Sequence, residues 1–217
     1  MPSSHFYQIN QIVELMVLTG PKSLLDVGVG FGKYGFLARE YLEVWDHRKP
    51  YGVWECRVDG IEAFEQYRTP LYSFIYNQVH FGDAMEIVPR LTDRYDLLLL
   101  IDVLEHLTEE DGKKMLTACR ERARNLIVST PKDIGDQGAV YGNVYETHRF
   151  QWRRQHLEAF PPAFFLEQEQ SLIAYMGEDA ERVRRLSEFY KEQHGVWHHL
   201  PALKRPYRAL KRRLAGR

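Results

Sequence analysis

Four carboxylates in this 217-residue chain, Asp26, Glu62, Asp83 and Asp102, each lie at the end of a short apolar stretch. An ionised carboxylate only accepts hydrogen bonds, and its two oxygens hold hydroxyl or amino donors of a ligand. Asp26 leads into VGVGFG, with Gly28, Gly30 and Gly32 at alternating positions. Glycine is required where the backbone takes positive φ or where a ligand lies against the main chain. A helix behind such a turn points free N–H groups and the positive end of its dipole at the ligand. Glu105 and His106 follow Asp102 closely, and a histidine there suits proton transfer near neutral pH. Residues 141–152, YGNVYETHRFQW, bring Tyr145, Glu146, His148, Arg149 and Trp152 within eight positions. That set suits a polar, even anionic, substrate. The alternative is a Glu146–Arg149 ion pair with Trp152 packed on a sheet.

These residues must be held by regular elements. Phe6, Ile9, Ile12, Val13 and Met16 recur at helical spacing and predict an amphipathic lead-in helix over 5–18, ended by Gly20-Pro21. Ser23–Val27 reads as the first strand and 32–45 as the helix behind the glycine turn. The second strand is expected over 55–61, ending at Glu62, and the third at Gln78–Phe81, followed by a short helix over 84–91. Tyr95–Ile101, YDLLLLI, is an almost unbroken apolar run, which implies a strand covered on both faces. Thr108 caps a helix with acids in its first turn. A fifth strand is read at 125–129, then a long irregular segment to His148, a helix over 153–160, β-like stretches at 164–169 and 172–176, and a charged helix over 178–194. Strands alternating with helices imply right-handed crossovers and a mainly parallel sheet. The last two strands suit an antiparallel edge hairpin. In such sheets ligands bind at the carboxyl ends of the strands, where the four acids and Glu105-His106 fall.

The length fits one α/β domain, taken as residues 1–200 with a lead-in helix in 1–20, followed by a basic tail over 201–217. No apolar run approaches the roughly 20 residues of a membrane span, and no secretion signal is read at Met1. Cys56 and Cys119 are expected as two buried thiols in a reducing cytoplasm. Net charge is −1, but residues 201–217 hold seven Lys or Arg and no acid. The remaining 22 basic residues face 30 acids, so the rest stands near −8. The tail reads either as a solvated terminus or as an amphipathic segment for RNA or an anionic membrane surface.

Taken together, LLDVGVGFG, the acid ending VDGIE, the GDA at Gly82–Ala84 and YDLLLLIDVLEHL resemble the class I S-adenosylmethionine-dependent methyltransferases, and the last piece is similar to their ubiquinone-biosynthesis branch (methyltransferase type 11/12-like). The resemblance spans most of residues 22–175. It implies a Rossmann-like three-layer αβα sandwich with a mainly parallel seven-stranded sheet and an antiparallel edge hairpin. It also implies S-adenosylmethionine as cofactor, with S-adenosylhomocysteine (SAH) as product. Gly28, Gly30 and Gly32 would lie against its methionine part and Asp26 would help hold the ammonium. Glu62 would accept from the ribose hydroxyls, Asp83 from the adenine amino group with Ala84 beside the ring, and Asp102 and Val103 would flank the methyl group. Glu62 lies 30 residues beyond Gly32, because 43–54 reads as an insertion, so Asp59 stands as the second candidate for the ribose.

His106, with Glu105 and His148, is the candidate for proton transfer from an acceptor hydroxyl. Tyr145, Glu146, Arg149 and Trp152 are candidates for substrate contact; similar N-x-Y-E-x-H-R-x-x-W stretches occur in bacterial methyltransferases of this kind. Asp102, Glu105 and His106 also resemble the E-x-x-E-H arrangement that holds a divalent ion in some ubiquinone-pathway and small-RNA 2′-O-methyltransferases. Here Asp replaces the first Glu, and a metal is not the favoured reading. Structural packing of the loop is a third. The expected activity is methyl transfer to an oxygen of a small molecule or glycan. RNA or other nucleic-acid methylation, carried by the tail, and a cofactor-binding partner subunit without turnover are the alternatives. A nicotinamide-dependent oxidoreductase shares the glycine turn and leaves GDA and DVLEHL unexplained.

Overall fold

The computed structural model describes residues 4–45, 50, 52–166 and 168–194. The basic tail at 201–217 and residues 46–49 and 51 of the 43–54 insertion lie outside the described residues. Helix α1 (Ile9–Thr19) follows a 3-10 turn at Phe6–Gln8 and ends at Gly20, whose left-handed φ of 61° lets its N–H close on Met16 O. Strand β1 is Ser23–Val27, β2 Arg57–Glu62, β3 Gln78–Phe81, β4 Tyr95–Ile101, β5 Ala123–Pro131, β6 Ala163–Leu166 and β7 Ser171–Gly177. The helices between and after them are α2 (Lys33–Arg39), α3 (Leu71–Ile75), α4 (Ala84–Arg90), α5 (Glu109–Arg122), α6 (Arg154–Glu158) and α7 (Ala180–His194).

The seven strands form one sheet in the order β3-β2-β1-β4-β5-β7-β6. Only β7 runs against the rest, pairing antiparallel with both β5 and β6. The expected edge hairpin is therefore present, with its second strand inserted beside β5. The apolar run of β4 shows why both faces must be covered. Leu97 and Leu99 point into one core with Ile12, Met16 and Tyr175, whereas Leu98 and Leu100 point into the other with Met115, Leu126 and Trp152. Cys56 and Cys119 are both buried and are not joined in a disulfide. None of the described helices is long and apolar enough to cross a membrane.

Among the boundaries that differ from expectation, two have clear local reasons. The helix expected over 32–45 is α-helical only to Arg39 and then widens into a π turn, Glu40–Val44. The change lies between two buried charged side chains, Arg39 and Glu43, whose partners sit across the interior. Arg39 donates to Ile75 O and Asn77 Oδ1, while Glu43 Oε1 accepts from Glu55 N–H and Cys56 N–H. That second contact also explains why β2 starts at Arg57 rather than 55, since the N–H groups before it serve Glu43 instead of the ladder.

Candidate active site

The carboxyl ends of β1, β2 and β4 meet over a cavity of about 410 Å³, within the ~300–1,000 Å³ usual for small-molecule sites. The chain enters it through the glycine turn. Gly28 N–H and Val29 N–H both donate to Ile61 O, at 2.9 and 3.1 Å, which folds the turn down onto β2. Gly28 has φ 83°, and a Cβ there would stand 2.7 Å from Val103 Cγ2. Gly28 and Gly30 line the cavity. Gly32 does not; with φ 92° it starts α2 and packs against Ile75.

Glu62 ends β2 at the cavity wall. Its Oε2 accepts from Gly30 N–H at 2.8 Å and its Oε1 from Phe64 N–H at 2.9 Å. Burial raises its pKa above the usual carboxylate value, and the two N–H groups oppose that. Asp59, the second candidate, is fully buried on Tyr95 Oη (2.7 Å) and Arg57 Nε (2.6 Å), away from the cavity. Asp83 and Ala84 line the cavity, and Asp83 also caps α4 by accepting from Met85 N–H at 2.8 Å.

Asp26 departs from the role the resemblance implied. It is buried behind the wall, where Tyr76 Oη donates to its Oδ2 at 2.7 Å, and burial pushes its pKa up to about 7. Asp102 does reach the cavity, as does Val103. Its backbone has φ 53°, a left-handed conformation that costs a non-glycine residue about 1–3 kcal/mol unless its surroundings hold it. The Asp102 carboxylate accepts from Gln8 Nε2 at 2.7 Å, and its other oxygen stands 3.0 Å from Ser129 Oγ.

Another part of the cavity wall is made by loops. Leu104–His106 forms a 3-10 turn after β4. Glu105 is buried, its Oε2 has no hydrogen-bond partner, and burial raises its pKa well above the carboxylate range. His106 Nδ1 lies 3.3 Å from Thr147 O, a carbonyl that only accepts, so this contact favours the tautomer protonated at Nδ1. Burial holds the ring's pKa down to about 4, so it is neutral at pH 7. Nε2 is 3.9 Å from Glu146 Oε2, and the His148 ring packs beside it at 5.2 Å. Glu146 Oε1 accepts from Tyr67 Oη at 3.2 Å and Asn143 Nδ2 at 3.3 Å, which holds its other oxygen toward His106.

Tyr145, Glu146 and His148 line the cavity, but Arg149 and Trp152 do not. Trp152 is buried, with Nε1 donating to Leu104 O at 2.8 Å and its ring filling the space left by Gly112. Its packing alternative therefore holds. The Glu146–Arg149 ion pair is absent among the described residues: Arg149 is exposed, and only its N–H is used here, donating to Glu105 O at 2.7 Å.

The residues expected to hold a metal are also regrouped. Glu105, His106 and His148 each offer a ligand atom, all within 4.8 Å of one another. Asp102 is outside this group because its carboxylate is engaged by Gln8 and Ser129. Sequence reasoning missed Ser4, His5, Tyr67 and Asn143 as lining residues and Gln8 behind them. Asn143 stood in the quoted motif; the others carry no local signal. The described lining holds Glu62, Asp83, Asp102, Glu105, Asp133 and Glu146, but no Lys or Arg.

No family model matches this chain, and no curated protein does. Solved structures do. The N-terminal domain of EvdMO1, crystallised with SAH and D-fucose, is 14% identical with a TM-score of 0.55, over 81% of this chain and 84% of that one. The methyltransferase domain of bacterial CtHen1 is 18% identical with a TM-score of 0.54, over 79% and 98%. PigF with SAH is 15% identical with a TM-score of 0.53, over 77% and 54%. The likeness establishes the fold as the Rossmann-like one of these methyltransferase domains.

Proposed function

We propose that this chain transfers a methyl group from S-adenosylmethionine to an oxygen of a small-molecule or glycan acceptor. The observation that carries this reading is the placement of His106, which lines the same cavity as Gly28 and Gly30 with its Nε2 3.9 Å from Glu146 Oε2. The backbone at Gly28 and Gly30, Glu62, Asp83 with Ala84, and Asp102 with Val103 are the residues that would hold the cofactor. The cofactor supplies a methyl group already activated by a sulfonium. His106 Nε2 takes the proton of the acceptor hydroxyl, and Glu146 Oε2 beside it stabilises the imidazolium that results. Tyr145 and His148 border the acceptor, and the residues around both partners mainly align them, which supplies about 7–11 kcal/mol in well-oriented reactions.

A lining rich in carboxylates and without Lys or Arg among the described residues supports a neutral or cationic acceptor over a phosphodiester. A partner subunit without turnover would bind the cofactor and fail on every acceptor. The first test is thermal unfolding with S-adenosylmethionine, SAH and NADH in turn. Either adenosyl ligand at 100 times its Kd adds about 2.7 kcal/mol, roughly 5–10 °C here. A shift with NADH alone, or none at all, rejects the reading.

One observation favours a second reading of the acceptor end. Glu105 is buried with an unpartnered oxygen beside two imidazoles, a donor set that suits a divalent cation. Glu105, His106 and His148 would hold the ion, which would lower the pKa of the acceptor hydroxyl. His106 cannot serve as ligand and base through the same nitrogen, so the two readings are separable. Titration with Mn²⁺, followed by calorimetry in the wild type and His148→Ala, decides: loss of binding in the variant supports the ion, and no binding to the wild type removes it.

A further inference from the structure

The segment ahead of α1 has no chemistry in its sequence pattern, yet it forms part of the cavity. Ser4 and His5 line the wall, and Lys33 Nζ donates to Ser4 O at 3.0 Å. Gln8, fully buried, reaches across 94 residues of sequence to donate from Nε2 to Asp102 Oδ2 at 2.7 Å. Its Oε1 accepts from Ser129 Oγ, which also stands 3.0 Å from Asp102 Oδ1. An amide is suited to this place because it donates to a carboxylate and accepts from a hydroxyl in one contact. A carboxylate at position 8 would keep the Ser129 contact but meet Asp102 with like charge.

We propose that Gln8 is a positioning residue of the cofactor end: it latches Asp102 to the segment 4–8 and thereby sets cofactor affinity. The inference rests on the S-adenosylmethionine reading above. Asp102 holds a left-handed backbone at the end of β4, next to Val103 and the glycine turn, and such a conformation persists only where neighbours enforce it. Gln8 and Ser129 are among those neighbours, together with Ser4, which also hydrogen-bonds the Asp102 side chain. The same hydrogen bonds draw Ser4 and His5 over the cavity, so releasing Asp102 also releases a piece of the wall.

The test is a double-mutant cycle at positions 8 and 102, read as SAH affinity by calorimetry together with the melting temperature of the free protein. In the Asp102 background, Gln8→Glu should weaken SAH by about tenfold or more, the range expected for losing a hydrogen bond to a charged group. In the Asp102→Asn background the same substitution should cost nothing, because the amide introduced at position 102 donates to the carboxylate introduced at position 8 and restores the pair with its polarity reversed. A purely structural role would lower the melting temperature without that background dependence. An equal cost in both backgrounds, or unchanged affinity in Gln8→Glu, overturns the latch and leaves the cofactor reading standing. A wild-type protein that fails to bind SAH overturns both.

Discussion

The proposed cofactor and acceptor ends of the cavity are built from different materials. At the first, Gly28, Gly30, Glu62, Asp83 and Asp102 sit at or just past strand ends, and neighbouring strands or backbone N–H groups hold them. At the second, His106 and Glu146 come from two 3-10 turns separated by a strand and a helix, and a long irregular segment joins them. One end inherits its geometry from the sheet. The other is assembled by a few contacts across the chain: Arg149 N–H on Glu105 O, Trp152 Nε1 on Leu104 O and Tyr67 Oη on Glu146. Binding and acceptor chemistry should therefore be separable by mutation.

The sharpest break is His106→Ala, expected to cut turnover by about 10²–10⁴ while SAH affinity by calorimetry stays put. Equal loss of both would mean the two ends are one unit. Next comes Trp152→Ala, which removes the ring that fills the space at Gly112; a stability loss of about 3–5 kcal/mol is expected in denaturant unfolding. Near the cofactor end, Asp26 separates burial from binding. Between about pH 4 and 7 the folded chain keeps its proton and the unfolded chain does not, so rising pH favours unfolding until the folded pKa is passed. Asp26→Asn should flatten that slope in melting temperature against pH, an effect on the order of a few kcal/mol, and leave SAH affinity unchanged.

Glu62→Gln should instead weaken SAH by about tenfold or more with little change in turnover at saturation, since Glu62 faces the cavity with both backbone donors already satisfied. Should Asp26→Asn prove the more damaging to affinity, the assignment of these two acids would be reversed. The smallest effect is expected at Arg149→Ala, within about 0.5 kcal/mol in stability and without change in acceptor KM, because the exposed side chain is outside the cavity.

The sequence alone carried the strand order of the chain and the acids at strand ends. Short apolar runs and the unbroken LLLL of β4 depend only on which residues are apolar, and Ser23–Val27, Gln78–Phe81 and Tyr95–Ile101 fall where expected. A glycine turn and acids at strand ends are local features, so their types and order are visible before folding. Asp59 and Glu62 were not separable that way, because both belong to β2 and only its packing shows which reaches the cavity. Nor was the burial of Asp26 behind Tyr76, a partner 50 residues away.

The acceptor end was legible as a composition, not as an arrangement. Residues 141–152 announced chemistry, but which of their side chains turned inward depended on non-local contacts. Trp152 went to the core because Gly112 leaves room for its ring, Arg149 went to solvent, and His148 joined His106 and Glu105 in the place expected of Asp102. Gln8 had no sequence signal at all, since its partners Asp102 and Ser129 become neighbours only when β4 and β5 pair and α1 docks. Local patterning thus determined the sheet and the ligand-facing strand ends. Tertiary packing decided which of the remaining polar residues meet, because that depends on distances across the fold that no local spacing encodes.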